Sequence, residues 1–206
     1  MRTATIDSFL HDLAARMPAP GGGAAAALHA AQGAALIAMV ARYSDGERYA
    51  PNATTINEIR DSADQLRESA LELAEQDAEA FGAVGAAYRL PKSDDEQKAG
   101  RSRAISTALA AAGRVSARVV DVADQLVDLA RSLRPIGNTN VIADIAAAAD
   151  AARAAASTSR VNIEINLTVL TDPEARAELD KALGKAEDIF RRAEHVTAAV
   201  REHILR

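Results

Sequence analysis

Pro18-Ala19-Pro20-Gly21-Gly22-Gly23 runs directly into AAAALHAAQGAALIAMVA, Ala24 to Ala41. The prolines stop any helix before them, three glycines free the backbone, and alanine, the best helix former, starts a helix at once. The first amides of that helix have no partner within it and carry the positive end of its dipole. They face the glycine loop, where a carboxylate, a phosphate or an electron-rich ring edge is favoured. The glycines predict either positive φ or a close approach of backbone to a ligand or another helix. The stretch is both a fold signal and a candidate site.

Working outward, alanine dominates the whole chain. It supplies 50 of the 206 residues, while aromatic residues make up only 3%. Small side chains let helices approach closely, and the β-branched residues are scattered among Leu, Arg, Glu and Gln rather than clustered, so the fold class is all-α. No Pro/Ser-rich linker divides residues 1–206, which read as one domain. The net charge of −5 and pI near 5.4, with no Trp, argue against nucleic acid as a partner. With no cysteine there is neither a disulfide framework nor a thiolate metal site. The opening Met1-Arg2-Thr3-Ala4-Thr5 does not have the form of a signal peptide, and the apolar Gly33–Val40 region draws its bulk from alanine. The expectation is a cytoplasmic protein with no membrane span.

Six helices are predicted. The first covers about Asp7 to Arg16, with Phe9, Leu10 and Leu13 on one face. The second starts after Gly23 and ends near Asp45-Gly46. The third begins around Asn52-Ala53-Thr54 and meets no breaker before Leu90-Pro91 except Gly82 and Gly85. The fourth opens at Ser93-Asp94-Asp95-Glu96 and stops at Arg134-Pro135. After a turn at Gly137-Asn138-Thr139-Asn140 the fifth runs through Ala146–Ala156, and the last opens at Thr171-Asp172-Pro173-Glu174 with proline at the first helical position. Val161, Ile163, Ile165 and Leu167 alternate with polar residues, as in a short strand, but no second such run exists to pair with, and helix or an irregular extension is expected. A third helix of about 38 residues would span about 57 Å, against a diameter of about 43 Å for a compact chain of this length. The bundle is therefore elongated, and its long seams suit a homodimer.

Within the third helix Ile56, Ile59, Ala63, Leu66, Ala70 and Leu73 keep a 3,4 spacing that continues through Ala80, Val84 and Ala87, and the position between is Asp77. A carboxylate on a packing seam marks a partner or a water-filled pocket, unless the seam turns outward there. Asp144 sits in the first turn of the fifth helix, where it complements the dipole, with Asn140 the expected N-cap and Asn138 a turn residue. Lys92 follows Leu90-Pro91 at a corner between helices, where an ammonium can meet an anion or be simply solvated, and Arg101 reads the same way. His11, His29, His195 and His203 show no paired metal-ligand spacing, so no metal is expected.

Together these residues resemble the cyclodeaminase/cyclohydrolase family of folate enzymes. The resemblance rests on Phe9-Leu10 and Leu13-Ala14 before Pro18–Gly23, on Asp77-Ala78-Glu79-Ala80-Phe81, and on Tyr88-Arg89-Leu90-Pro91-Lys92 with Arg101. It continues in Gly137-Asn138-Thr139-Asn140 with Asp144, and in Asn162-Ile163-Glu164-Ile165-Asn166-Leu167. It implies an all-helical dimer with a pocket near the subunit interface. The implied activity is hydrolysis of 5,10-methenyltetrahydrofolate to the 10-formyl form, or cyclisation of the 5-formimino form with loss of ammonia. Neither requires a metal or redox cofactor; the tetrahydrofolate derivative is the substrate. Carried over by motif, Asp144 or Asp77 would transfer the proton. Lys92 would tune a carboxylate or, with Arg101, meet the glutamate tail. Pro20, Gly21, Gly22 and Gly23 would receive the ring, and Asn138, Asn140, Asn162 and Asn166 would position water and pterin. Ala24 stands where the family commonly has serine, Ala143 where serine commonly precedes the aspartate, and Glu164 where lysine is frequent. Two other readings compete: a relative acting on a different cyclic imine or amidine, and a non-catalytic helical module. The last requires solvent-facing Asp77 and Asp144 and no cavity beside the glycine loop.

Overall fold

A computed structural model describes residues 3–206. Met1 and Arg2, the start of the segment read as lacking signal-peptide form, lie outside the described residues. The α-helices are α1 (Ile6–Ala14), α2 (Gly22–Arg42), α3 (Ala53–Tyr88), α4 (Asp95–Leu133), α5 (Ile142–Leu167) and α6 (Pro173–Ile204). Among the described residues there is no strand. Short 3₁₀ turns, Glu47–Asn52 and Thr139–Val141, precede α3 and α5.

Helices α2 to α5 form a four-helix bundle in which α2 packs on α3 and α5, α4 packs on the same two, and α2 and α4 face each other diagonally. Helix α6 lies outside against α4 and α5. By length and composition α2 is apolar enough to cross a membrane, but here it is enclosed by the bundle. Alanine makes that possible: Ala26, Ala27, Ala30 and Ala34 on α2 and Ala148, Ala149, Ala152 and Ala155 on α5 are fully buried. At Gly33 a Cβ would stand 3.1 Å from the Ala148 carbonyl oxygen, so the α2–α5 crossing needs the missing methyl. Helix α1 is the exception, with no buried residue and Ile6 and Leu10 exposed.

The helix ends follow the turn chemistry read from the sequence. Asp94 and Asp172 accept from Gln97 N and Glu174 N as N-caps of α4 and α6. The α5 start differs from expectation: its N-cap position is Val141, with no side-chain cap, and Asn138 instead caps the preceding 3₁₀ turn, accepting from Asn140 N at 3.0 Å. The alternating Val161–Leu167 segment is helical. Ile163 is buried while Val161 and Ile165 are exposed, so the period of two reflects a helix with one core side and an apolar rim. At 39 residues α4, like the 36-residue α3, is about 55 Å long at 1.5 Å per residue, and the bundle is elongated as expected.

On the α4–α6 seam, Arg192, with its side chain 16% exposed, reaches Asp124, Asp128 at 2.9 Å and Asp188 at 2.5 Å. Lys185 pairs with Asp121 at 2.6 Å. These pairs fix the outer helix to the bundle and lie away from the glycine loop.

Candidate active site

Helix α2 begins without the usual capping chemistry: its N-cap is Gly21, no side chain of its own caps it, and its first turn has no acid. The cap comes from α3. The Ala24 N–H donates to the Asp77 carboxylate across the helix boundary, so the polar residue on the α3 seam answers the unpaired amides of α2. Gly23 permits this contact. A Cβ there would lie 1.9 Å from Asp77 Oδ1 and 2.4 Å from its Cγ. Space, not backbone strain, explains the glycine: among the described residues only Gly46 has positive φ, so of the two freedoms the glycines offer, the loop uses close approach.

Asp77 faces a cavity of about 420 Å³ bounded by Met17–Gly23 on one side. Phe81, Val84 and Tyr88 of α3, Leu109, Ala112 and Ser116 of α4, and Asn162, Ile165, Asn166 and Val169 of α5 and the turn after it complete the wall. Asp77 is half-buried, and burial pushes its carboxyl above the ordinary carboxylate value, opposed by the bond from Ala24. A carboxyl so placed exchanges protons more readily near neutrality than a solvated one, as acid–base chemistry requires. Phe81, Tyr88, Ile165 and Val169 are exposed at the rim, a surface suited to a flat ring.

Tyr88 and Val169 also line an adjoining cavity of about 330 Å³ that carries Lys92, Lys98 and Arg101. The Arg101 guanidinium donates to the Tyr88 carbonyl from Nε at 3.3 Å and Nη2 at 3.1 Å, and lies 5.6 Å from the Tyr88 ring centre. Lys98 pairs with Asp95 at 2.9 Å, and Lys92 is exposed. The apolar cavity thus opens toward a cationic corner.

Of the residues singled out in the sequence, Pro20, Gly21, Gly22, Gly23, Asp77, Asn162 and Asn166 meet at the first cavity, and Lys92 and Arg101 at the second. Asn138, Asn140 and Asp144 do not join them within one chain. Asn138 Nδ2 donates to the Tyr43 carbonyl at 2.7 Å, and its backbone N–H donates to Ser44 Oγ at 2.8 Å. This clasps the turn before α5 to the C-terminal end of α2, the far end from Gly23. Ser116 went unremarked in the sequence, although Ile105, Leu109, Ala112 and Ser116 keep the same 3,4 spacing that exposed Asp77 as a polar group on an apolar seam.

A larger groove, about 730 Å³, lies between α3, α4 and α6; Arg114 pairs there with Glu178 at 2.8 Å, Lys185 with Asp121, and Arg118 donates to Gln76, while Glu79 and Lys181 are exposed on its walls. Among the described residues no group of His, Cys, Asp or Glu could hold a metal ion.

An all-helical bundle with a half-buried carboxyl at a helix entrance defines an acid–base class of site, and comparison with known proteins makes the class specific. The formiminotransferase-cyclodeaminase family model matches residues 5–185. A methenyltetrahydrofolate cyclohydrolase from Methylorubrum extorquens is 36% identical over 190 residues, covering 92% of this chain and 90% of that protein. The formimidoyltransferase-cyclodeaminase of Rattus norvegicus is 31% identical over 82% of this chain, which spans only 31% of that longer protein. The crystal structure of formiminotetrahydrofolate cyclodeaminase from Thermotoga maritima superposes with a TM-score of 0.83 at 27% identity, covering 97% of this chain and 98% of that one. The chain belongs to the formiminotransferase-cyclodeaminase family.

Proposed function

We propose that this protein is a folate one-carbon enzyme that hydrolyses 5,10-methenyltetrahydrofolate to 10-formyltetrahydrofolate, with Asp77 as the proton-transfer group. The carrying observation is the Asp77 carboxyl, half-buried in an apolar cavity and held by the Ala24 amide. The Ala24 N–H anchors the carboxylate at the cavity wall, where it can meet substrate or water. The substrate is a cation whose charge spreads over N5, the one-carbon atom and N10. An ionised Asp77 attracts that cation and takes a proton from the attacking water.

The Asn162 and Asn166 amides offer donors and acceptors to the pterin edge, and the exposed apolar rim faces the rings. Lys92 and Arg101 lie where a glutamate tail would leave the cavity. No metal or redox cofactor takes part in this scheme. A homodimer is part of the proposal, since α1 buries no residue fully within its own chain and leaves Ile6 and Leu10 exposed. Similarity to the cyclohydrolase over nine-tenths of both chains favours hydrolysis. The Thermotoga maritima superposition supports a second reading, cyclisation of the 5-formimino form at the same cavity. The non-catalytic reading loses its requirement, because a cavity does lie beside the glycine loop.

The test is the decay of methenyltetrahydrofolate absorbance with and without protein. Hydrolysis is expected to exceed the spontaneous rate in proportion to enzyme concentration. No acceleration, together with cyclisation of the formimino substrate, would select the second reading.

A further inference from the structure

Ser116 is a serine without an evident structural duty. It sits in the interior of α4, is only 4% exposed, and lines the glycine-loop cavity. A helical serine commonly turns its hydroxyl onto the carbonyl four residues back, as Ser44 does to Val40 at 2.7 Å. No such bond, nor any other, is found for the Ser116 hydroxyl among the described residues, and it is not one of the sealed unpartnered atoms, so it keeps contact with solvent while its residue lines the cavity. It differs from Ser159, whose unpartnered Oγ is sealed from solvent and lines none of the described cavities.

The helix register places Ser116 opposite Asp77. Helices α3 and α4 are antiparallel, and Gln76 meets Arg118 across them. One turn at a time, Asp77, Phe81 and Val84 descend one wall of the cavity while Ser116, Ala112 and Leu109 climb the other. The two polar groups of this otherwise apolar pair of stripes therefore stand at the same level, at the deep end beside Gly23.

We propose that Ser116 is a substrate-contacting residue that holds the attacking water against Asp77, an inference resting on the activity proposed above. The Ser116 oxygen accepts the water hydrogen that Asp77 does not take. The water oxygen bonds to the one-carbon atom and its other hydrogen passes as a proton to the Asp77 carboxylate. The bond from that carbon to N5 then breaks with its electron pair going to N5, which takes up a proton as the new hydroxyl loses one and becomes the formyl oxygen. One proton per turnover is released to solvent.

Ser116→Ala tests this, because alanine fits the space, suits the helix and removes an unpaired hydroxyl. The expected result is a kcat about 10- to 100-fold lower, KM for methenyltetrahydrofolate within twofold of wild type, and an unchanged or higher Tm. Ser116→Cys, which keeps the volume and weakens the hydrogen bond, should fall between the two in kcat. A kcat for Ser116→Ala within twofold of an active wild type would overturn this inference alone. A wild type that leaves methenyltetrahydrofolate untouched would overturn it together with the proposed activity.

Discussion

A methyl group on residue 23 would land 1.9 Å from Asp77 Oδ1, so Gly23→Ala forces the carboxylate off the α2 amides. Asp77 is the mobile end of a side chain beside open space and can swing into the cavity, while alanine improves the first turn of the helix. The variant should therefore keep its stability to within about 1 kcal/mol and lose turnover by about 100-fold. Thermal melting and the absorbance assay on one preparation separate the two effects. Asp77 also makes a pH-dependent contribution. Burial raises its folded-state pKa above the ordinary value of 3.8, so folding favours the protonated form. Stability from this group is fully present below the unfolded value and is lost as pH rises through the raised one. Asp77→Asn, with an amide oxygen still able to accept from Ala24, should melt higher than wild type at neutral pH, and the gap should close as pH falls toward 4. A constant gap across that range would mean that Asp77 titrates as a solvated carboxyl.

At the scale of elements, close helix approach decides the packing. A methyl added at residue 33 would stand 3.1 Å from the Ala148 carbonyl oxygen, 3.5 Å from Ala151 Cβ and 3.6 Å from Leu126 Cδ1. Gly33→Ala therefore requires the α2–α5 contact to give by a few tenths of an ångström, and backbone gives less readily than a flexible side chain. We expect a loss of about 1–3 kcal/mol, read as a lower Tm and urea midpoint; an unchanged midpoint would show that the crossing has slack. The helices themselves were legible because alanine, the 3,4 seams and the Pro and Asp punctuation all agree. Asp77 was legible for the same reason, as the polar residue that a seam predicts to be apolar. The Val161–Leu167 alternation left strand and helix both open, because a helix with a core side at Ile163 and a rim at Val161 and Ile165 can imitate a strand over seven residues; the lack of a pairing partner favoured helix, as found. The glycine run announced a site, but not its cause: that Gly23 makes room for a carboxylate depends on which helix lies across from it, a fact of tertiary packing.

Across the whole molecule, the elongated bundle separates what the order of motifs groups together. Helix α2 has 21 residues and so is about 30 Å long at 1.5 Å per residue, with Asp77 at its beginning and the Asn138 clasp at its end. Asn138, Asn140 and Asp144 thus stand far from the cavity within one chain, because motif order carries no information about which end of an antiparallel bundle each motif reaches. Asn162 and Asn166 lie at the cavity because α5 runs back from that clasp to the glycine loop. The arrangement sets Asp77 at one cavity, with an apolar rim and a cationic corner beside it. The most direct test is turnover of methenyltetrahydrofolate by Asp77→Asn against wild type at neutral pH. The account predicts a folded variant whose kcat is lower by about 10²- to 10⁴-fold; a folded variant retaining wild-type turnover would contradict it.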